Sequence, residues 1–358
     1  MPRFQKVFLA LILCVLAVTG CSGKQQESTL KEPSTNQEAA VTPKSKTYFV
    51  FDTVVSIRVY DNKVTDHHFA EIKALLDDIE NKMSRTIETS DISKVNANAG
   101  KHPVQVSDET FYVVKTAQKY SEMSKGRFNV AIGTLVSLWN INHEGAHVPP
   151  QAKIDEALKH VNYTNLVLDE AKKTLFLKET DMALDLGGIA KGYAADRVAA
   201  YLTEREMNSA IIDLSGNIFA LGLKPGNQLW TIGIQDPNES RGNQIGSMKV
   251  DNQTVVTSGI YERYFIENGV QYHHILDSKT GYPVVNDLNS VSIITDHSID
   301  ADALSTTLFA LGKEEGMKFV ENMANTEAIF ITKDKKIYAT SGMREKFTLT
   351  NDAYAFAN

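Results

Sequence analysis

DLGGIAKGYAADR, residues Asp185 to Arg197, is the stretch on which the fold of this chain turns. Two adjacent glycines introduce a run with helical character, and a lysine follows one turn later. Such a segment suits phosphate. Glycines let the backbone approach a ligand, the first N–H groups of a helix lack intrahelical partners, and the helix dipole adds positive potential. Lys191, three residues after Gly188, shares that face and adds a full charge. The same residues equally describe a glycine-rich turn before a surface helix with a solvated lysine. In a βαβ succession they would be a dinucleotide fingerprint on a parallel sheet, so the surrounding elements decide.

Those surroundings are not a βαβ series. Hydrophobic spacing predicts a strand over residues 47–60 and helices over 65–83, 108–124 and 154–159. Residues 166–168 and 174–177 flank an Asp-Glu-Ala-Lys-Lys turn and read as a hairpin. After the helix that follows Gly188, strands are expected at 210–214, 218–221, 229–234, 246–250 and 254–257. A strand at 290–294, two helices within 301–323 and strands near 328–332 and 336–339 complete the chain. No internal repeat is present. The order predicts an α+β fold of mixed, largely antiparallel sheets with flanking helices, in which Gly187-Gly188 is not a Rossmann fingerprint.

Two further segments carry chemistry. In DADALSTTLFALG, Asp300 to Gly312, Leu304, Leu308 and Leu311 mark the buried side of a helix that places Asp302 and Thr306 on one face. A carboxylate and a hydroxyl are hard oxygen ligands of the kind Mg²⁺ or Ca²⁺ takes. A helix cap at Asp302 and a back-bond from Thr306 would use the same two residues. TSGIYERYFIENGVQYHHILDSKTGYP, Thr257 to Pro283, alternates like a hairpin or meander with its turn at Glu267-Asn268-Gly269. It brings His273, His274 and Asp277 to strand ends, and neighbouring strand residues face opposite ways, so only one histidine can serve a given site. A neutral imidazole there could accept a proton from a hydroxyl or simply hydrogen-bond a ligand.

Together these segments resemble the ApbE family, the FAD:protein FMN transferases. The resemblance rests on DLGGIAKGYAAD, LSGNIFALG (Leu214 to Gly222), TSGIYERYF, HHILDSKTGYP and DADALSTTLFALG. Weaker echoes occur in MSRTIETSDISKVN (Met83 to Asn96) and GRFNVAIGTLVSLWN (Gly126 to Asn140). It implies an ApbE-like fold with the active site in a cleft between two merged subdomains. It implies Mg²⁺ held by Asp302, Thr306 and the Gly188 carbonyl, with Ser305 as an extra contact. FAD, as substrate, would meet Asp185 and Lys191, and a flavin pocket formed by Phe51, Thr86, Phe128, Asn129, Val130 and Leu276. His274 matches the histidine at the reaction centre and Asp277 could share the proton, while His273 reads as a bystander. Phe51-Asp52-Thr53 stands where the family has Met-Gly-Thr, Thr86 where an aromatic is frequent, and Asn129 where an aspartate is common.

The implied reaction is Mg²⁺-dependent transfer of FMN from FAD to a Ser or Thr hydroxyl of an exported or membrane redox protein, with release of AMP. An FAD pyrophosphatase using the same site, and a non-enzymatic FAD-binding lipoprotein, are the alternatives. The amino terminus fits an exported protein: Arg3 and Lys6, an apolar run over residues 7–18, then Val18-Thr19-Gly20-Cys21 resemble a bacterial lipoprotein signal, with a plain secretory signal as the other reading. Residues 1–20 are then a signal peptide, Cys21 carries the lipid on the extracytoplasmic face of the membrane, 21–46 form a polar disordered tether, and 47–358 the flavin transferase domain. With Cys14 cleaved away and Cys21 acylated, disulfides and thiol catalysis are excluded. A formal net charge of -7 and no basic run argue against a nucleic-acid partner.

Overall fold

The computed structural model describes residues 42–357, all within one compact unit. The residues read as a signal peptide, Cys21 and most of those read as a tether lie outside the described residues. The first strand, β1 (Lys44–Val50), starts inside the stretch read as tether and pairs with β2 (Thr53–Val59). One strand was expected over 47–60. The chain instead folds back at Phe51-Asp52, where both residues take left-handed φ values of 57° and 52°. This is the two-residue hairpin geometry that Asn-Gly usually marks; Asp52 tolerates it, but Phe51 does not announce it.

Helix α1 (Asp66–Met83) follows, burying Phe69, Ile72, Leu76, Ile79 and Met83 at the three- and four-residue spacing of one face. Then come α2 (Asp91–Ala97), the short β3 (Val104–Gln105), α3 (Asp108–Met123), α4 (Gly133–Trp139) and α5 (Gln151–Leu158). The predicted hairpin is β4 (Leu166–Asp169) with β5 (Thr174–Leu177), to which β3 adds a third strand. Helix α6 (Ala190–Glu204) leads into β6 (Ser209–Asp213), β7 (Asn217–Gly222), β8 (Trp230–Gln235), β9 (Gln244–Val250) and β10 (Gln253–Gly259). The next hairpin is β11 (Tyr264–Glu267) and β12 (Val270–His273), turning at Asn268-Gly269 as expected. After β13 (Leu288–Thr295), helix α7 (Ser298–Val320) breaks at Gly312, whose φ of 77° divides it into the two predicted helices. The chain closes with β14 (Glu327–Thr332), β15 (Lys336–Ala339), α8 (Ser341–Lys346), β16 (Phe347–Leu349) and β17 (Ala355–Phe356).

Nine strands form the main sheet in the order β1-β2-β6-β7-β10-β13-β14-β15-β17, antiparallel throughout except for the β15–β17 pair. No parallel doubly wound core is present among the described residues, in keeping with the α+β reading. Every residue of β13 is buried, because the sheet is covered on both faces. Val291 and Ile293 pack with α1, α6 and α7 in the largest core cluster, and Ile294 packs with Ile232, Ile234 and Met248 of the small β16-β9-β8 sheet. A third cluster gathers around Trp139, whose Nε1 donates to Gly281 O at 2.7 Å. Among the described residues no helix is long and apolar enough to cross a membrane.

Candidate active site

The β1–β2 turn, the end of α1, the segment before α6, the β6–β7 turn, β10, and both ends of the β11–β12 hairpin converge on one cleft of about 310 Å³. That is the lower end of the range for small-molecule sites. Gly187 and Gly188 earn no positive φ; what they supply is space. A Cβ on Gly187 would stand 2.9 Å from Asp185 Oδ1, the atom that accepts from Gly187 N at 2.8 Å. A Cβ on Gly188 would lie 3.2 Å from Phe128 and 3.4 Å from Thr306 Oγ1. The glycines therefore bring the start of the α6 segment against α7, which is where the metal residues were expected.

Asp302 is 4% exposed, and its Oδ2 accepts from Gly192 N at 2.9 Å while Oδ1 lies 3.5 Å from Lys191 Nζ. Lys191 also donates to Gly187 O at 3.2 Å. The back-bond considered for Thr306 is made by its neighbour instead: Thr307 Oγ1 donates to Ala303 O at 2.7 Å, and Thr306 lines the cleft. Ser305 is buried behind this pair, donating to Asp302 O at 2.9 Å and sharing a 2.8 Å hydrogen bond with Ser258, so it braces the site from behind. Among the described residues no three His, Cys, Asp or Glu side chains converge as a metal site. Asp302, Thr306 and the Gly188 backbone are an all-oxygen set with a single carboxylate, which fits a hard cation such as Mg²⁺ and not a soft one.

His274 lines the cleft and His273 does not, as the alternation of the strand required. His273 is buried, with Nε2 donating to Val284 O at 3.0 Å. The ring of His274 places Nδ1 3.2 Å from Arg263 O. A carbonyl can only accept, so Nδ1 carries the proton and Nε2 keeps its lone pair. Burial, reinforced by the charge of Arg263, pushes the His274 pKa down to about 3, so the ring is neutral at neutral pH.

Phe51, Thr86, Phe128, Asn129, Asp185 and Leu276 all line the cleft. Asn129 Oδ1 accepts from Ala131 N at 3.0 Å, a turn contact for which a neutral amide suffices. Two expected residues stand elsewhere. Val130 is fully buried and acts through its backbone, its carbonyl accepting from Asp185 N at 3.0 Å. Asp277 is outside the lining: Oδ1 accepts from Lys279 N at 2.7 Å and Oδ2 pairs with Arg127 Nη1 at 3.1 Å, so its carboxylate is engaged in a turn and an ion pair.

Residues 51–330 match the ApbE family model. The chain belongs to the ApbE family. It is 41% identical over 265 residues to a Klebsiella pneumoniae (strain 342) protein named FAD:protein FMN transferase, covering 74% of this chain and 82% of that one. A Treponema pallidum (strain Nichols) protein of the same name is 36% identical over 355 residues, covering 94% of each chain. The crystal structure of the ApbE protein of Thermotoga maritima superposes with a TM-score of 0.79 at 32% identity, over 85% of this chain and 99% of that one.

In this ApbE chain three arginines line the cleft that sequence reasoning passed over: Arg85, Arg127 and Arg263. Each sits inside a quoted motif, as MSRT, GRFN and YERYF. Arg85 Nε pairs with Asp185 Oδ2 at 2.9 Å, a contact between residues a hundred positions apart that no local pattern shows.

Proposed function

We propose that this chain is a FAD:protein FMN transferase that moves the FMN half of FAD onto a Ser or Thr hydroxyl of an exported or membrane redox protein. The observation that carries the reading is the placement of a neutral His274, with Nε2 free to accept, on the same cleft as Lys191, Asp302 and Thr306. A proton acceptor thus shares a site with groups suited to a pyrophosphate.

In the reaction, the acceptor hydroxyl oxygen forms a bond to the phosphorus on the riboflavin side. The bond from that phosphorus to the bridging oxygen breaks, and the electron pair leaves on AMP. His274 Nε2 takes the hydroxyl proton, and its Nδ1–H stays bonded to Arg263 O, which fixes the ring for that transfer. Lys191, one turn into the glycine-led segment, sets its charge against the phosphates. Mg²⁺, held by Asp302, Thr306 and the Gly188 backbone, supplies further neutralisation of the pyrophosphate when bound. Phe51 and Phe128 offer aromatic surface for the flavin ring.

Intact-mass spectrometry tests this with purified protein, FAD, Mg²⁺ and an exported protein carrying a candidate acceptor threonine. A gain of one FMN on the acceptor, lost on chelation, is the expected result. Free FMN and AMP without an adduct, across a panel of such acceptors, would replace it with the pyrophosphatase. The same reading places the enzyme on the extracytoplasmic face of a bacterial membrane, anchored through lipid on Cys21. Its support is the sequence of the first 21 residues, and labelled palmitate incorporated by the wild type and not by Cys21→Ala tests it.

A further inference from the structure

Four Lys or Arg side chains line the cleft, and three of them are held by carboxylates. Arg85 is held by Asp185, Arg127 by Asp277, and Lys191 lies 3.5 Å from Asp302. Arg263 has no ion-pair partner among the described residues, although it precedes β11 at the base of the hairpin whose other end delivers His274. Its backbone is tied to that histidine twice: Arg263 O accepts from His274 N at 3.1 Å and lies 3.2 Å from His274 Nδ1. A guanidinium is a rigid, always-charged fork that matches two phosphate oxygens. Among the four cleft cations it is the one whose charge no carboxylate of the described residues offsets, so its fork meets phosphate without first giving up a partner.

We propose that Arg263 is a catalytic residue, its guanidinium meeting the non-bridging oxygens of the phosphoryl group under attack, on the side where His274 receives the proton. This rests on the transferase reading above. As the acceptor oxygen closes on phosphorus and the bridging bond opens toward AMP, charge spreads over those equatorial oxygens. A fixed cation beside them stabilises that arrangement more than the ground state.

The placement also resolves a conflict of charges. A proton arriving on His274 makes an imidazolium next to a guanidinium, which is unfavourable while Arg263 is bare. The charges facing His274 are Arg263, His273 when protonated, and Lys191, and all act against protonation. Bound phosphates neutralise Arg263 and Lys191, so His274 becomes a better base once FAD is in place. The base is thus restrained in the empty enzyme and released by its substrate.

The test compares wild type with Arg263→Gln and Arg263→Lys by FMN transfer to an acceptor that the wild type modifies. Arg263→Gln should lower kcat by about a hundredfold with little change in the KM for FAD. Arg263→Lys should recover part of the loss. The acid limb of the kcat/KM profile, which reports free-enzyme groups, should move to higher pH in Arg263→Gln, because a cation beside His274 is gone. A merely structural arginine would leave that limb in place. Wild-type kcat in Arg263→Gln, a defect confined to the KM for FAD, or an unmoved limb each overturns the proposal. Failure of the wild type to transfer FMN to any acceptor would instead overturn the transferase reading.

Discussion

Asp302 Oδ2 accepts a hydrogen bond from Gly192 N at 2.9 Å, so the carboxylate suited to a metal is also part of the seam between α6 and α7. The seam is reciprocal. Asp196 on α6 reaches the start of α7, where its two oxygens accept from Ser298 N at 2.7 Å and Ile299 N at 2.9 Å. Each helix thus contributes one carboxylate that satisfies backbone N–H groups of the other, and at α7 these are the unpaired donors of a helix start. The spacing of the helices and the position of the site are consequently one property.

Gly192→Ala should break that property. A Cβ there would stand 2.2 Å from Ser298 O, a backbone atom that can yield only if α7 moves. Overpacking of this kind costs about 1–3 kcal/mol. Urea denaturation should show a lower midpoint, and the stabilisation conferred by Mg²⁺ should shrink because Asp302 shifts with α7. An unchanged midpoint would mean that the two helices are not held at this contact.

Asp302→Asn separates the two tasks of the carboxylate. Asparagine is isosteric and its Oδ1 can still accept from Gly192 N, so the fold should survive. The charge a divalent cation needs is gone. Thermal denaturation with and without Mg²⁺ should give an upward shift for the wild type and almost none for the variant. A full Mg²⁺ shift in Asp302→Asn would place the cation elsewhere.

Phe51→Gly should dissociate stability from binding. A bulky side chain at φ 57° carries backbone strain of roughly 1–2 kcal/mol that glycine does not. Phe51 is only partly buried against the core, so the ring it loses offsets a similar amount. Stability without ligand should stay within about 1 kcal/mol of wild type, while FAD affinity, read by flavin fluorescence, should fall about tenfold or more. Strain kept at a cleft for no ligand would show as higher stability and unaltered FAD binding.

That turn also shows where the sequence stopped being informative. Periodicity located α1 and α3 closely because each buries one continuous face, and the spacing of Asp302 and Thr306 survives intact on α7. The Phe51-Asp52 turn was hidden, since Phe is not a turn former and a lone Asp without a following Gly is a weak signal inside an apolar, β-branched stretch that reads as one strand. Helix α4, with Gly133 and β-branched residues among seven positions, has too little pattern to stand out. Strands β16 and β17 are three and two residues long and exist only through partners far away in the chain. In the site, residue types named Lys191, His274 and Asp302. What they could not show was that Asp277 and Asp185 hold Arg127 and Arg85, because ion pairs across 150 and 100 positions leave no local trace.

His273 should make the enzyme sensitive to acid. Burial lowers its pKa to about 4, against about 6.5 for an unfolded histidine. Between these values the unfolded chain takes up a proton that the folded one refuses. The stability this group contributes is therefore complete above pH 6.5 and is lost as pH falls toward 4. Asp196 acts in the opposite sense over part of the same window. Its pKa is raised by burial to about 6, so the folded state holds a proton there that the unfolded state has released. The wild-type profile alone mixes both groups, and the comparison with His273→Gln isolates one of them. Glutamine can still donate to Val284 O and does not titrate. From pH 7 to pH 5 the wild type should lose on the order of 2 kcal/mol relative to the variant, measured by urea denaturation at each pH. Parallel profiles would show that His273 titrates alike in the folded and unfolded chain, and its burial would then carry no pH dependence.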